Sequence, residues 1–139
     1  AENGFEAERH TVTTADGYIL QVWRIPGAVG DTTQGKPVVF MQHGVFDSAN
    51  CWMMNYGDVA PAFVSARAGY DVWMGNSRGN TYSMANTHLD PHHDEKKFWD
   101  FDWQEMGTGD LPAVIDYITG TTITADGGLD VVGPGILGQ

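Results

Sequence analysis

Cysteine is almost absent from the 139-residue chain: Cys51 stands alone, which excludes an intrachain disulfide, a paired thiol site and a cysteine-built zinc centre. Positive charge is also scarce. Seven Lys and Arg face eighteen Asp and Glu, and the formal charge of -11 repels phosphate backbones and anionic lipid headgroups. Nucleic acid is therefore not expected as a partner. No apolar stretch approaches the ~20 residues that cross a bilayer, so no transmembrane segment is expected. No charged-then-apolar leader precedes the fold, and a start at Ala1 leaves a removed leader and an internal start both open. An Asn-x-Ser/Thr acceptor is missing too, which weakens the case for a glycosylated secreted chain.

What is present points to one packed domain. Hydrophobic residues make up 42% and aromatics 12%, with Trp23, Trp52, Trp73, Trp99 and Trp103 spread along the chain, a composition that buries a core. The length suits a single domain over residues 1–139. His10 to Thr14 and Tyr18 to Ile25 read as two strands joined by "ADG", in which Gly17 takes positive φ without steric cost. Lys36 to Gln42 is a continuous apolar run, the pattern of a strand covered on both faces. A helical pattern follows around Ala60 to Ala68, Gly69 breaks it, and "YDVWMG" gives another apolar strand. The alternation predicts an α/β fold with a mostly parallel sheet of about five strands behind an antiparallel opening hairpin.

Asn76 to Asp94 is long, polar and irregular, the profile of a surface excursion or of part of a site. Phe98, Trp99, Phe101 and Trp103 read as core packing beneath it. In "GDLPAVIDYI", Asp110 can cap a helix, Pro112 suits its first turn, and Val114, Ile115 and Ile118 supply its apolar face. Thr119 to Gly128 reads as a loop, and Leu129 to Val132 as a last short strand. Residues 119–139 form a divergent, glycine-rich tail.

Three groupings invite a chemical reading. In "QHGVF", Gln42 to Phe46, a His-Gly pair leaving a buried strand can turn a main-chain N–H into the space where an oxyanion would sit, and it can equally be an ordinary turn. Ser77, between Asn76 and Arg78, has no Gly-x-Ser-x-Gly elbow around it, so it reads as a hydrogen-bonding loop serine beside an arginine in a structural ion pair. His88, His92 and His93 with Asp90, Asp94 and Glu95 offer suitable zinc donors, but their spacing fits no helical ligand pair and Pro91 interrupts it. A solvated polar loop is expected there. Neither a metal nor a cofactor is predicted.

"TTADGYILQVWRIP", "KPVVFMQHGVFDSANCW", "GYDVWMGNSRGNTYS" and "FWDFDWQEMGTGDLPAVIDYI", in that order and spacing, resemble the amino-terminal half of the acid lipase family, which includes gastric and lysosomal acid lipases. The resemblance covers Phe5 to Ile118. It implies a partial α/β-hydrolase fold lacking the carboxyl-terminal half, from enzymes that cleave lipid esters through a Ser-His-Asp triad without metal or cofactor. It places His43, Gly44 and Val45 in the oxyanion-hole loop, with His43 shaping the loop and not serving as the triad base. Asn76, Ser77, Arg78 and Gly79 match a loop that buttresses the site. A secreted or lysosomal location is implied, with an organellar complex left open.

The tail departs from the family. Where the strand at Leu129 to Val132 should run into Gly-x-Ser-x-Gly, the chain reads Gly133, Pro134, Gly135, Ile136, Leu137, and Gly135 occupies the nucleophile position. No intact catalytic residue is therefore expected in the chain taken alone. A final parallel strand would also leave one edge unpaired, an edge that calls for a protein partner at Leu129 to Val132. Two functions follow. One is a structural or assembly subunit without catalysis; the other is the amino-terminal portion of an active lipase whose Ser-Asp-His lies on another segment.

Overall fold

A computed structural model describes residues 3–122. The strand expected at Leu129 to Val132, the turn with Gly135 and the partner edge lie outside the described residues.

The chain opens with β1 (Glu8–Thr13) and β2 (Tyr18–Ile25), an antiparallel hairpin running from the Thr13–Ile19 pair to the Glu8–Arg24 pair. Gly17, at φ 93°, closes its turn, and the Gly17 N–H donates to the Thr14 carbonyl. Two short strands, β3 (Val38–Met41) and β4 (Asp71–Met74), run parallel to each other and are connected through helix α1 (Pro61–Arg67). All four side chains of β4 are buried, as in a strand covered on both faces, whereas β3 buries Val38 and Phe40 and leaves Val39 and Met41 partly exposed.

β4 pairs antiparallel with the last turn of β2, Trp23 to Ile25, giving the order β1-β2-β4-β3. β5 (Ala85–Asn86), from the segment read as irregular, pairs antiparallel with the other end of β2. The expectation of a mostly parallel sheet is thus corrected: the sheet is mixed and mostly antiparallel, because β2 is long enough to pair along three separate strands while only β3 and β4 lie parallel. The α/β class itself holds.

Alternation along the strands sorts the core into two layers. Leu20, Val22, Val38, Phe40 and Trp73 pack on one face against Val114 and Ile118 of α4 (Leu111–Thr122), with Phe98 from α2 (Glu95–Phe98). Ile25, Val72 and Met74 pack on the opposite face with Ala62 and Ala66 of α1. The sheet is sandwiched, and β3 ends the order with no further strand on its outer side among the described residues.

Helix α4 begins differently from the reading of its sequence. A capping box at Asp102, with Glu105, starts α3 (Trp103–Glu105); Met106–Asp110 then forms a π-helical turn that leads straight into α4. Asp110 is therefore inside the helical run and does not cap it. At the other end, the loop expected from Thr119 is helical to Thr122, since the Thr119 and Thr121 hydroxyls donate to the Ile115 and Tyr117 carbonyls and so are absorbed into the helix.

Candidate active-site groove

The parallel strands β3 and β4 end side by side, and both chains turn away at that end, where open α/β sheets carry their ligand crevices. Gly75 lets them do so in close quarters: a Cβ there would lie 2.5 Å from Gln42 Oε1 and 3.0 Å from the Phe40 ring. A groove of about 730 Å³ opens above, bordered by His43, Gly44 and Val45 on one loop and by Ser77, Arg78 and Gly79 on the other. Asn76 does not border it. Asn76 is buried behind, where its amide oxygen accepts from the Ala49 N–H at 3.0 Å and from Asn80 Nδ2 at 2.9 Å, while its nitrogen donates to the Gln21 carbonyl at 3.0 Å. A buried amide hydrogen-bonded through both its oxygen and its nitrogen ties β2 to both loops.

His43 links the two loops directly. The Ser77 N–H donates to His43 Nε2 at 3.0 Å, which makes that nitrogen the acceptor; Nδ1, 2.7 Å from the Gly44 carbonyl, then carries the proton. Asn80 Nδ2 lies 3.2 Å from the same Nε2. Ser77 Oγ accepts from Gln42 Nε2 at 2.9 Å, and no imidazole or carboxylate accepts from it among the described residues. A serine so placed lacks the base that a nucleophile needs.

The loop itself is strained. The Asp47 N–H donates to the Gly44 carbonyl at 3.2 Å, closing a four-residue turn whose third position, Phe46, has φ 64°. That position favours glycine, yet it holds a fully exposed phenylalanine. The Val45 and Phe46 N–H groups find no acceptor among the described residues, so two main-chain donors are left over in a loop that borders the groove.

Arg78 anchors the second loop from below. Its side chain is 1% exposed; Nε donates to Asp110 Oδ1 at 2.8 Å, Nη1 to Asp16 Oδ2 at 2.6 Å, and its backbone N–H to Asp110 Oδ2 at 2.8 Å. The guanidinium also lies 4.1 Å from the centre of the Tyr18 ring. Burial pushes the Asp110 carboxyl above its usual range even against the Arg78 hydrogen bonds. Burial works against Asp16 as well, but that carboxylate is half exposed, and hydrogen bonds from Arg78 and Thr14 hold it below its usual range.

The aromatic segment departs from the expected core packing. Phe98 is fully buried, whereas Trp99 and Trp103 are 44% and 79% exposed and border the groove with Phe101, Met106 and Leu111. Gly79, at φ 79°, sits where the two walls meet: a Cβ would come 2.7 Å from Phe101 and 2.8 Å from Trp99. His92 and His93 lie apart from all this, on a turn where Asp90 Oδ1 accepts from both of their N–H groups. No group of three or more His, Cys, Asp or Glu able to hold a metal occurs among the described residues. In the sequence Gln42 lies within "QHGVF" and Asn80 within "GYDVWMGNSRGNTYS", whereas the local signals of Asp16 and Asp110 are those of a turn and a helix cap and give no sign of their part beneath the groove.

The order of strands, the crevice above β3 and β4 and the two loops that border it define a mixed-sheet α/β fold. A hypothetical protein from Pseudomonas aeruginosa, PA2218, has the same fold: its crystal structure aligns with a TM-score of 0.56 at 13% identity, over 94% of this chain and 35% of that one. The family described as the partial alpha/beta-hydrolase lipase region matches residues 1–56. Lipase lipl-3 from Caenorhabditis elegans and the human gastric triacylglycerol lipase are each 48% identical over 122 residues, 86% of this chain and 30% of theirs. Lipase 1 from Drosophila melanogaster is 48% identical over 88% of this chain and 26% of its own length. The chain is an acid lipase family sequence from the amino-terminal region, and it spans nearer three-tenths than half of these relatives.

Proposed function

We propose that the chain supplies the oxyanion-side wall of a lipid ester hydrolase site, the nucleophile and its base coming from sequence beyond the described residues. The observation that supports this reading is the pair of unpartnered main-chain N–H groups at Val45 and Phe46, held beside an open groove by the His43 bridge to Ser77. Donors fixed in advance where charge develops act on the transition state without reorganising. Val45 occupies the second position of its turn, which accepts proline, so Val45→Pro removes one N–H with little cost to the fold. In the protein at its natural length, that variant should lower ester hydrolysis by about 100-fold or more while labelling by a serine-directed phosphonate persists.

Absence of hydrolysis and of labelling in that protein would favour the second reading, a lipase-derived structural or assembly subunit. Gly135, where the family resemblance would put the nucleophile, supports that alternative, in which a protein partner would pair with the strand expected from the sequence at Leu129 to Val132. Intact mass separates the two: a 15.2 kDa chain in a stable complex fits the subunit, a chain of full hydrolase length the enzyme.

A further inference from the structure

The loop that carries the Val45 and Phe46 N–H groups has little packing to hold it. Gly44, Val45, Phe46 and Asp47 are all exposed, so the direction of each peptide depends on hydrogen bonds. The Gly44 carbonyl takes two, from His43 Nδ1 at 2.7 Å and from the Asp47 N–H at 3.2 Å. No peptide bond is cis among the described residues, and in a planar trans peptide the N–H points opposite to the carbonyl. The imidazole bond to Gly44 thus fixes which way the Val45 N–H points.

That bond exists only with the proton on Nδ1, and the groups at the other ring nitrogen decide where the proton sits. Two donors meet Nε2: the Ser77 N–H at 3.0 Å and Asn80 Nδ2 at 3.2 Å. The orientation of the Asn80 amide follows from backbone donors, which cannot reverse their roles. Its oxygen accepts from the Tyr82 N–H at 2.9 Å and the Ser83 N–H at 3.0 Å, which leaves the nitrogen facing Asn76 Oδ1, 2.9 Å away. Asn76 Oδ1 is itself identified by the Ala49 N–H that it accepts from. The backbone is anchored as well, the Asn80 N–H donating to the Ser77 carbonyl at 3.2 Å. Closing its turn occupies only the Asn80 oxygen; the nitrogen is left for His43 and Asn76.

We propose that Asn80 is a positioning residue of the groove: with the Ser77 N–H it confines His43 to the Nδ1–H tautomer, and that tautomer aims the Val45 N–H. This rests on the hydrolase reading for its purpose and adds to it the group that orients the donor. Moving the proton to Nε2 sets N–H groups of His43, Ser77 and Asn80 against one another and faces a bare Nδ1 with the Gly44 oxygen. The peptide then turns, and the Val45 N–H turns with it. Asn80→Asp keeps the oxygen that closes the turn and replaces only the donor, by an acceptor. Asn80→Ser drops the donor without adding charge, and its hydroxyl can still accept from the turn.

The full chain, isotope-labelled in its histidine rings, is followed by proton–nitrogen correlation NMR at about pH 8, above the ordinary imidazole range. The His43 signals are identified by their loss in His43→Gln. In the unaltered chain His43 should carry its proton on Nδ1, the tautomer that a free histidine side chain disfavours. Asn80→Asp should place a proton on Nε2 in about half of the molecules or more, because a carboxylate beside that nitrogen attracts it. Asn80→Ser should leave a mixture of the two tautomers. Thermal unfolding establishes that each variant folds, and Asn80→Ser carries the test by itself if Asn80→Asp does not. In the same protein, Asn80→Asp should lower kcat for ester hydrolysis about tenfold or more while KM stays within about twofold. A proton on Nε2 in the unaltered chain, or an unchanged Nδ1–H state in the folded variants, overturns the inference. So does a changed tautomer with unchanged kcat in a protein that hydrolyses esters. The expected tautomers in a protein that hydrolyses no ester refute the hydrolase reading and leave the assignment of Asn80 to His43 standing.

Discussion

Replacing Arg78 by methionine isolates the electrostatics beneath the groove. The change keeps much of the side-chain volume but strips Asp110, whose side chain is 5% exposed, of the guanidinium that accompanies it. Removing one member of a buried pair typically costs about 3–5 kcal/mol, because the remaining charge stays desolvated. The half-exposed Asp16 arm contributes far less, under about 1 kcal/mol after solvent screening. In urea, with a slope of about 2 kcal/mol per molar, the unfolding midpoint of Arg78→Met should fall by roughly 1.5–2.5 M, followed by tryptophan fluorescence.

Two further measurements make the account refutable. Asp110 already has a carboxyl pKa raised above 3.8 by burial, and loss of Arg78 raises it further. A group with a raised folded-state pKa contributes stability that is complete below the unfolded value and is lost as pH rises through the folded value. The penalty of Arg78→Met should therefore be largest at neutral pH and shrink on acidification towards 3.8. Adding Asp110→Asn to the same chain removes the stranded charge while keeping a side-chain oxygen to accept from the residue 78 N–H, and should recover more than half of the lost stability. A penalty that does not change with pH, or a double variant no more stable than the single one, would refute the reasoning.

Phe46→Gly relieves the left-handed residue without losing buried surface and should raise stability by about 0.5–1 kcal/mol in the same titration; no gain would mean that the turn is not strained. Gly79→Ala should cost at least about 1–2 kcal/mol from its backbone angle, with a further loss from displaced Phe101 and Trp99 rings visible as altered tryptophan emission. Trp73 is fully buried and its indole N–H is unpaired among the described residues, so Trp73→Ala should cost about 3–5 kcal/mol by thermal unfolding, whereas Trp73→Phe, which sheds that donor, should stay within about 2.

The sequence by itself determined the elements whose signals are local. The "ADG" turn, the strands around Val22, Val39 and Trp73 and the helix containing Val64 lie where glycine placement and apolar runs put them. The ordered motifs likewise sufficed for the family, because a match at many separated positions needs no coordinates. The direction in which strands pair was not legible, since an apolar run records burial and not its neighbour; β2 takes three partners only because the chain returns to it from Trp73 and Ala85. Asp110 shows the same limit. Next to Leu111 and Pro112 it has the local profile of a helix cap, and only the π-helical turn, with Arg78 arriving from 32 residues earlier, makes it the buried partner of a guanidinium. Trp99 and Trp103 read as core for their composition, but the core was already filled by Phe98, Val114 and Ile118, and packing leaves them at the groove. Long-range pairing and the competition for interior space belong to the whole chain, and tertiary structure alone decided them.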